Sequence, residues 1–311
     1  MDLFDIRYIK LHFTLAAQEA SSWPVNKVSA LRGGMGEMLL RMHCVRDRQC
    51  EKCDFNPDCL VRQMMYSQMK IQPSFMSEGD SVGYVLECDN YSDSLQEGEN
   101  LVFNLLLFGR NIAFFSLYLQ AFQYLGMIGI GKEKSKYTIS KITNSKNELI
   151  FDGVNVHMSS LGTMTIRDYV DYRCKKIEDS ARLVFHTPLT MKYQSEILKT
   201  FNIEAIMRSI ERRIYILNCF EGNDSGRYEL MGHIPKLIGS NVKENSVQRY
   251  SSTQNKKMAL RGIKGYADIT GIDSCASELL AAGELIHIGK NTSFGFGKYT
   301  VMSLHKNSNY R

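Results

Sequence analysis

The sequence predicts an α+β protein made of two similar domains in tandem, residues 1–178 and 179–311. Three observations predict it. The first half reads strand, helix, strand, strand, helix, strand, the order of a split βαβ unit. The same grammar returns after about residue 180 without a repeat of sequence. A chain of 311 residues, 44% hydrophobic and 23% charged, has the balance of a globular protein and the length to bury two cores.

Each element follows from its pattern. Asp5–Ala16 is rich in Tyr, Ile, Leu and Phe, partly alternating with Arg7, Lys10 and His12, which makes a half-buried strand. A turn at Ser21-Ser22-Trp23-Pro24 precedes Val28, Leu31, Met35, Met38, Leu39 and Met42, whose three- and four-residue spacing predicts an amphipathic helix ending near Cys44. A loop dense in cysteine, residues 44–59, is inserted after that helix. Val82–Cys88 and Leu101–Phe108 read as strands, an apolar helix starts at Asn111, and Tyr137–Ile142 is a further strand. Ile112–Ile130 raises the question of a membrane span, but Ser116, Gln120, Gln123 and Gly126 interrupt it and Arg110 precedes it, so a buried helix fits better.

In the second half Arg182–Met191 reads as a strand. Phe201–Phe220 reads as a helix with Ile206, Ile210, Ile214 and Leu217 on one face and Arg208, Arg212 and Arg213 largely on others. Segments at Tyr228–Ile234 and Lys264–Thr270, a short helix Cys275–Ala282, and a terminal strand pair Leu285–Ile288 and Tyr299–Leu304 complete it, with the boundary between halves near Glu178.

Composition excludes collagen-like, mucin-like, prion-like and disordered classes. The N-terminus has no basic segment leading into an apolar core and cleavage site, so a cytoplasmic location is expected, with no membrane partner. In a reducing compartment clustered cysteines are better metal ligands than disulfides. Cys44, Cys50, Cys53 and Cys59 fall within sixteen residues in a solvent-facing loop, and four thiolates can close a tetrahedral shell around zinc, leaving no open position for a reacting water. A structural zinc is expected, with an iron–sulfur cluster or a disulfide pair as rivals.

The glycine-rich loop 289–298, Gly-Lys-Asn-Thr-Ser-Phe-Gly-Phe-Gly-Lys, lets backbone approach a partner closely, and its N–H groups with Lys290 and Lys298 would suit phosphates. It is not a Walker loop, and a plain hairpin turn fits its composition equally. Residues 236–264 hold seven cations against one acid, Glu244, a local excess above the net +5 of the whole chain. With Tyr250 and Gln254 interleaved among Arg249, Lys256 and Lys257, the stretch suits a polyanion with stacked bases, against a solvated charged loop as the alternative. Among seven histidines, His43 adjoins the cysteine loop, His287 the glycine loop, and His186 opens the second half. No Ser/His/Asp order, His-Glu-x-x-His motif or paired carboxylate compels a hydrolase mechanism.

Together these residues resemble the CRISPR-associated pre-crRNA processing endoribonucleases of the RAMP superfamily. Leu285 to Tyr299 resembles that family's C-terminal glycine-rich loop nearly residue for residue. Leu31-Arg-Gly-Gly-Met-Gly running into the cysteine loop, Phe185-His-Thr-Pro-Leu189, Glu211-Arg-Arg213, and Arg249-Tyr-Ser251 followed by Gln254 match in the family's order and resemble a subgroup with a four-cysteine loop. Residues 60–175 add little. The resemblance implies two tandem ferredoxin-like (RRM-type) βαββαβ domains. It also implies cleavage of CRISPR repeat RNA, commonly at the base of a stem-loop and without a metal ion in catalysis, by attack of a ribose 2′-OH on its own phosphate, giving 2′,3′-cyclic phosphate and 5′-OH ends. DNA, lacking the 2′-OH, is not a substrate. His43 is the implied acid–base group and His287 its alternative. Lys290 or Arg249 would neutralise the phosphate, and Arg32, Arg249, Tyr250, Gln254, Lys256, Lys257, Gly289, Lys290, Gly295, Gly297 and Lys298 are the implied RNA contacts. Glu37 stands mid-helix where some relatives carry a histidine. Partners implied are the pre-crRNA stem-loop and subunits of a CRISPR effector complex. A non-catalytic RAMP-type crRNA-binding subunit of such a complex is the alternative function.

Overall fold

Alternation builds the first strand. In β1 (Arg7–Ala17), Ile9, Leu11, Phe13 and Leu15 are buried on one face while Lys10 and His12 stand half-buried on the other. The computed structural model describes residues 2–66, 68–76, 82–223, 233–251 and 256–304; for Glu51, Arg249–Ser251, Lys256 and Lys257 it describes the backbone only.

After β1 come β2 (Ser21–Ser22), α1 (Lys27–His43), α2 (Leu60–Met65), β3 (Tyr84–Glu87), β4 (Ser94–Leu95), β5 (Asn100–Phe108), α3 (Phe115–Ile128), β6 (Tyr137–Asn144), β7 (Leu149–Phe151), β8 (Met164–Thr165) and α4 (Ile166–Cys174). The Asn26 side chain caps α1 by accepting from the Ser29 N–H. The principal sheet runs β3-β5-β1-β6-β7, antiparallel at every pair. α1 and α3 cover the Ile9–Leu15 face, and Leu31, Met35, Tyr118 and Phe122 lie in that core.

The second half contains β9 (Ser180–Leu189), β10 (Lys192–Tyr193), β11 (Glu196–Ile197), α5 (Ile203–Glu221), β12 (Lys236–Ser251), β13 (Lys256–Thr270), α6 (Ser274–Ile286) and β14 (Tyr299–Ser303). Its sheet runs β12-β13-β9-β14. Apart from short additions, both halves thus have βαββαβ order with the strands arranged second, third, first, fourth, consistent with a ferredoxin-like fold.

Four expectations change. Residues 236–264 belong to a long antiparallel hairpin, because β12 and β13 pair with each other from Lys236↔Thr270 to Ser251↔Lys256. Leu285–Ile288 is not a strand; Leu285 and Ile286 close α6, so the glycine loop follows a helix. Arg213 is buried and donates from Nη2 to the Val82 carbonyl at 3.0 Å, tying α5 to the first half. The residue 228–234 segment falls mostly outside the described residues, and His233 and Ile234 are not in a strand.

The two cores do not divide at residue 178. One contains first-half residues alone, but the other joins Phe4, Tyr8, Val85, Leu106, Phe108 and Ile166 to Leu183, Ile210, Leu280 and Tyr299. One end of the first sheet's second face is therefore sealed by α5 and α6. Among the described residues no helix is long and apolar enough to cross a membrane.

Candidate active site

The glycine loop leaves α6 through His287 at φ +57 and turns against the first half. A Cβ on Gly297, at φ +70, would lie 1.8 Å from the Ile288 carbonyl oxygen, and one on Gly295, at φ +75, 2.6 Å from that of Leu86. Only glycine fits these approaches. Five of the loop's N–H groups find acceptors within the protein: Gly289 donates to Ser209 Oγ at 3.1 Å, Lys290 to the Thr190 carbonyl at 2.7 Å, Gly295 to that of Thr292 at 2.8 Å, Gly297 to that of Pro188 at 3.0 Å, and Lys298 to Thr187 Oγ1 at 2.9 Å. At these five positions the donors are taken within the protein. Arg32, on α1, fixes the loop from the other side, with Nε 3.3 Å from Ser293 Oγ and its guanidinium 4.2 Å from the Phe294 ring centre. Lys290 points to solvent; Lys298 is half-buried and pairs with Asp89 at 2.9 Å.

Register assembles a polar row beside the loop. Glu87 on β3 lies opposite Asn104 on β5, Asn104 opposite His12 on β1, and His12 opposite Thr143 on β6. Opposed residues share a face, here the one that α1 and α3 leave uncovered. Glu87, 3% exposed, accepts from Lys10 Nζ at 2.8 Å, Asn104 Nδ2 at 2.8 Å and His287 Nε2 at 2.9 Å, with Lys298 Nζ at 3.8 Å. Burial pushes its carboxyl up, but the His287 hydrogen bond and the charges of Lys10, His287 and Lys298 outweigh burial and hold it well below the ordinary value. His287 is fully buried, and its Nδ1 lies 3.1 Å from the Phe296 carbonyl oxygen. With an acceptor at each nitrogen, both ring positions need an N–H. His287 is thus a clasp between the halves, with neither nitrogen open to a substrate.

His43 sits at the last turn of α1, half-buried, and its Nε2 is buried with no hydrogen-bond partner among the described residues. Eleven residues of helix separate it from Arg32, about 16 Å at the usual rise. The structure therefore brings His287, Lys298 and Arg32 to the glycine loop and leaves His43 at the far end of the helix. Glu37, in mid-helix, is paired with Arg41 at 2.8 Å and Arg48 at 2.6 Å.

On the hairpin, Lys243 lies directly opposite Lys264, and Arg261 is exposed opposite Ser246. Like charges so opposed repel in the absence of an anion. Arg249, Tyr250, Lys256 and Lys257 lie on the distal strand ends, and Gln254 falls outside the described residues. An open cleft of about 460 Å³ runs between Asp89 and Tyr91 of the first half and Val184, His186, Lys264 and Tyr266 of the second sheet. His186 hydrogen-bonds Thr300 Oγ1 at 2.9 Å, and burial, then the Lys298 charge, lowers its pKa.

Cys44, Cys50, Cys53 and Cys59 are all free and half-buried, Cys50 and Cys59 belonging to separate turns. Among the described residues no three His, Cys, Asp or Glu side chains converge to hold a metal ion. The donor chemistry suits zinc, but the arrangement of these thiols does not fit it.

Sequence reasoning missed Glu87, Asn104 and His12 as a unit. Polar residues at alternate positions of otherwise apolar strands were the available signal.

Comparison with known proteins follows the same division. Residues 6–161 match the family model AF_1859_N, described as an N-terminal domain. Residues 183–299, which include the glycine loop, match CRISPR-associated endoribonuclease Cas6. An Archaeoglobus fulgidus protein described as uncharacterized is 23% identical over 281 residues, 88% of this chain and 90% of its own. Among solved structures, a product complex of Thermus thermophilus Cas6 aligns with a TM-score of 0.53 at 14% identity over 95% of this chain and 99% of its own. A chain of a partial Cas6-RT-Cas1–Cas2 complex aligns with a TM-score of 0.56 at 10% identity over 98% of this chain, which spans only 48% of that chain's length. At such identities the likeness is one of fold.

Proposed function

The chain belongs to the CRISPR-associated endoribonuclease Cas6 family, and from that premise we propose that it cuts CRISPR repeat RNA to release crRNAs. The observation that carries the reading is the Cas6 match over 183–299, which contains the glycine loop clasped to the first half through His287 and Glu87. The chemistry is transesterification: a base takes the 2′-OH proton, O2′ bonds to phosphorus, and the P–O5′ bond breaks, leaving 2′,3′-cyclic phosphate and 5′-OH ends. It needs a proton acceptor, a proton donor and a cation near the phosphate, and no metal ion.

Cations are supplied by the exposed Lys290 and by the hairpin, where opposed Lys243 and Lys264 gain a counterion when RNA binds. His43 is the acid–base candidate carried by resemblance; to act, its ring must turn the buried Nε2 outward or use Nδ1. The partners are the repeat stem-loop and, by likeness to the chain of the Cas6-RT-Cas1–Cas2 complex, other CRISPR proteins.

The test is incubation of the purified chain in EDTA with the CRISPR repeat RNAs of its own genome. Discrete fragments are expected; repeat RNA that is bound tightly yet remains intact would instead favour a crRNA-binding subunit that does not cleave.

A further inference from the structure

The donor pattern around Asn104 fixes the state of a histidine that no resemblance singled out. Asn104 Nδ2 is 2.8 Å from Glu87 Oε2, and only the amide N–H can face a carboxylate, so Oδ1 is the atom turned to His12. His12 Nδ1 lies 2.7 Å from that oxygen and must donate to it. The neutral ring is therefore the Nδ1–H tautomer, and Nε2 carries the lone pair. Nε2 is not among the buried unpartnered atoms and has no hydrogen-bond partner among the described residues. The other described histidines differ. His287 is closed at both nitrogens, His43 has Nε2 buried, the Nε2 of His186 meets Thr300, His157 pairs with Asp152 at 3.1 Å on an outer loop, and His233 is exposed ahead of β12, held through its backbone N–H to Asp273 at 2.9 Å.

We propose that His12 is the general base of the RNA cleavage, with Asn104 and Glu87 as its positioning residues, an inference that rests on the reading of this chain as a repeat-cleaving nuclease. His12 stands on the open face of the first sheet, two strand spacings, about 10 Å, from Glu87, where the glycine loop docks. The apolar end of that face, Tyr8, Leu106 and Phe108, is sealed by the second half, while half-exposed Val102 marks the open end. Lys141, exposed on β6 opposite Thr14, is the unsealed cation diagonal to His12. In the step, Nε2 takes the 2′-OH proton as O2′ bonds to phosphorus; the P–O5′ bond breaks, and the same proton, relayed through one water molecule, ends on the departing 5′-oxygen. His12 returns neutral and the RNA gains and loses no atoms.

The groups facing His12 are Lys10 on its own strand, Asn104 on β5, Thr143 and Lys141 on β6, and Glu87 behind Asn104 with His287 and Lys298 of the second half behind it. The experiment is single-turnover cleavage of pre-bound repeat RNA in EDTA across pH, on wild type, His12→Ala, His12→Gln, Asn104→Leu and His43→Ala, with RNA affinity and thermal melting measured alongside. Expected are a loss of about 100-fold or more for both His12 variants at unchanged affinity and loss of the rising limb of their pH–rate profiles. In Asn104→Leu the ring remains but loses its anchor, so ¹⁵N NMR should show a tautomer mixture in place of Nδ1–H, with a cleavage loss of about tenfold. A His12→Gln protein that melts and binds as wild type and cleaves at the wild-type rate overturns the proposal, as does total loss in His43→Ala beside an active His12→Gln. Wild type that cuts no repeat RNA defeats the functional reading itself, and the NMR tautomer then judges the geometry alone.

Discussion

Glu87 is a carboxylate at 3% exposure whose place at the junction depends on the donors that meet it from both halves. Glu87→Gln leaves Lys10 and His287 without their counter-charge, and a cost of about 3–5 kcal/mol is expected in urea unfolding. Because the native carboxyl is held below its ordinary value of 4.5, its contribution is complete above that pH and is lost as pH falls through the depressed native value. Melting temperature should therefore fall on acidification below about 4.5 in wild type, and less steeply in Glu87→Gln. Gly297→Ala, which drives a Cβ into the Ile288 carbonyl at positive φ, is expected to cost about 1–3 kcal/mol. Gly33→Ala, in α1 with no atom within 4 Å of the added carbon, should be neutral or stabilising by up to about 1 kcal/mol. Single residues were only partly legible in the sequence. The glycine spacing announced a special loop, but not that the amides of Lys290, Gly297 and Lys298 face inward, since their acceptors on Thr190, Pro188 and Thr187 lie about a hundred residues away. His12 read as one polar position in a strand; its meaning needs Asn104 and Glu87, which only register brings beside it.

At the scale of elements, legibility followed the hydrophobic period. β1, α1 and α5 each bury one face and were plain from spacing, and α3 was plain from its apolar run. The hairpin was not, because much of β12 is exposed and without one buried face there is no alternation to read. Leu285–Ile288 misled for the opposite reason: a short, mostly apolar run serves a strand or a buried helix end equally well. If the hairpin tracks RNA, Lys243→Ala with Arg261→Ala should lower the slope of log affinity against log salt by about 1.4, on the scale of roughly 0.7 per phosphate contact for a single strand. An unchanged slope would remove both from the interface. The cysteine loop makes a contrasting case, since its spacing suggested a metal staple and the folded thiols do not converge. Cys50→Ser with Cys53→Ser is accordingly expected to shift thermal stability by no more than about 0.5 kcal/mol, as for an exposed loop, whereas a loop organised by zinc would lose several times that.

The molecule as a whole was legible as two βαββαβ halves but not as two independent ones. The second core recruits Phe4, Tyr8, Leu106 and Ile166 from the first half, and Arg173 on α4 pairs with buried Glu284 of α6 at 2.6 Å. Sequence patterns report which face of an element is apolar, not which half supplies its cover. A fragment 179–311 should therefore lack a cooperative melting transition when expressed alone, and a sharp transition would contradict the shared core. That sharing holds the open face of the first sheet, the glycine loop and the hairpin of the second half in one fixed arrangement, around which the proposed cleavage is built. The most direct test is end-group analysis of the products from repeat RNA cut in EDTA, beside a repeat carrying a single 2′-deoxy substitution at the cleavage position. The account predicts 2′,3′-cyclic phosphate and 5′-OH ends, with the deoxy repeat bound but uncut; cleavage of the deoxy repeat, or 5′-phosphate ends, would contradict it.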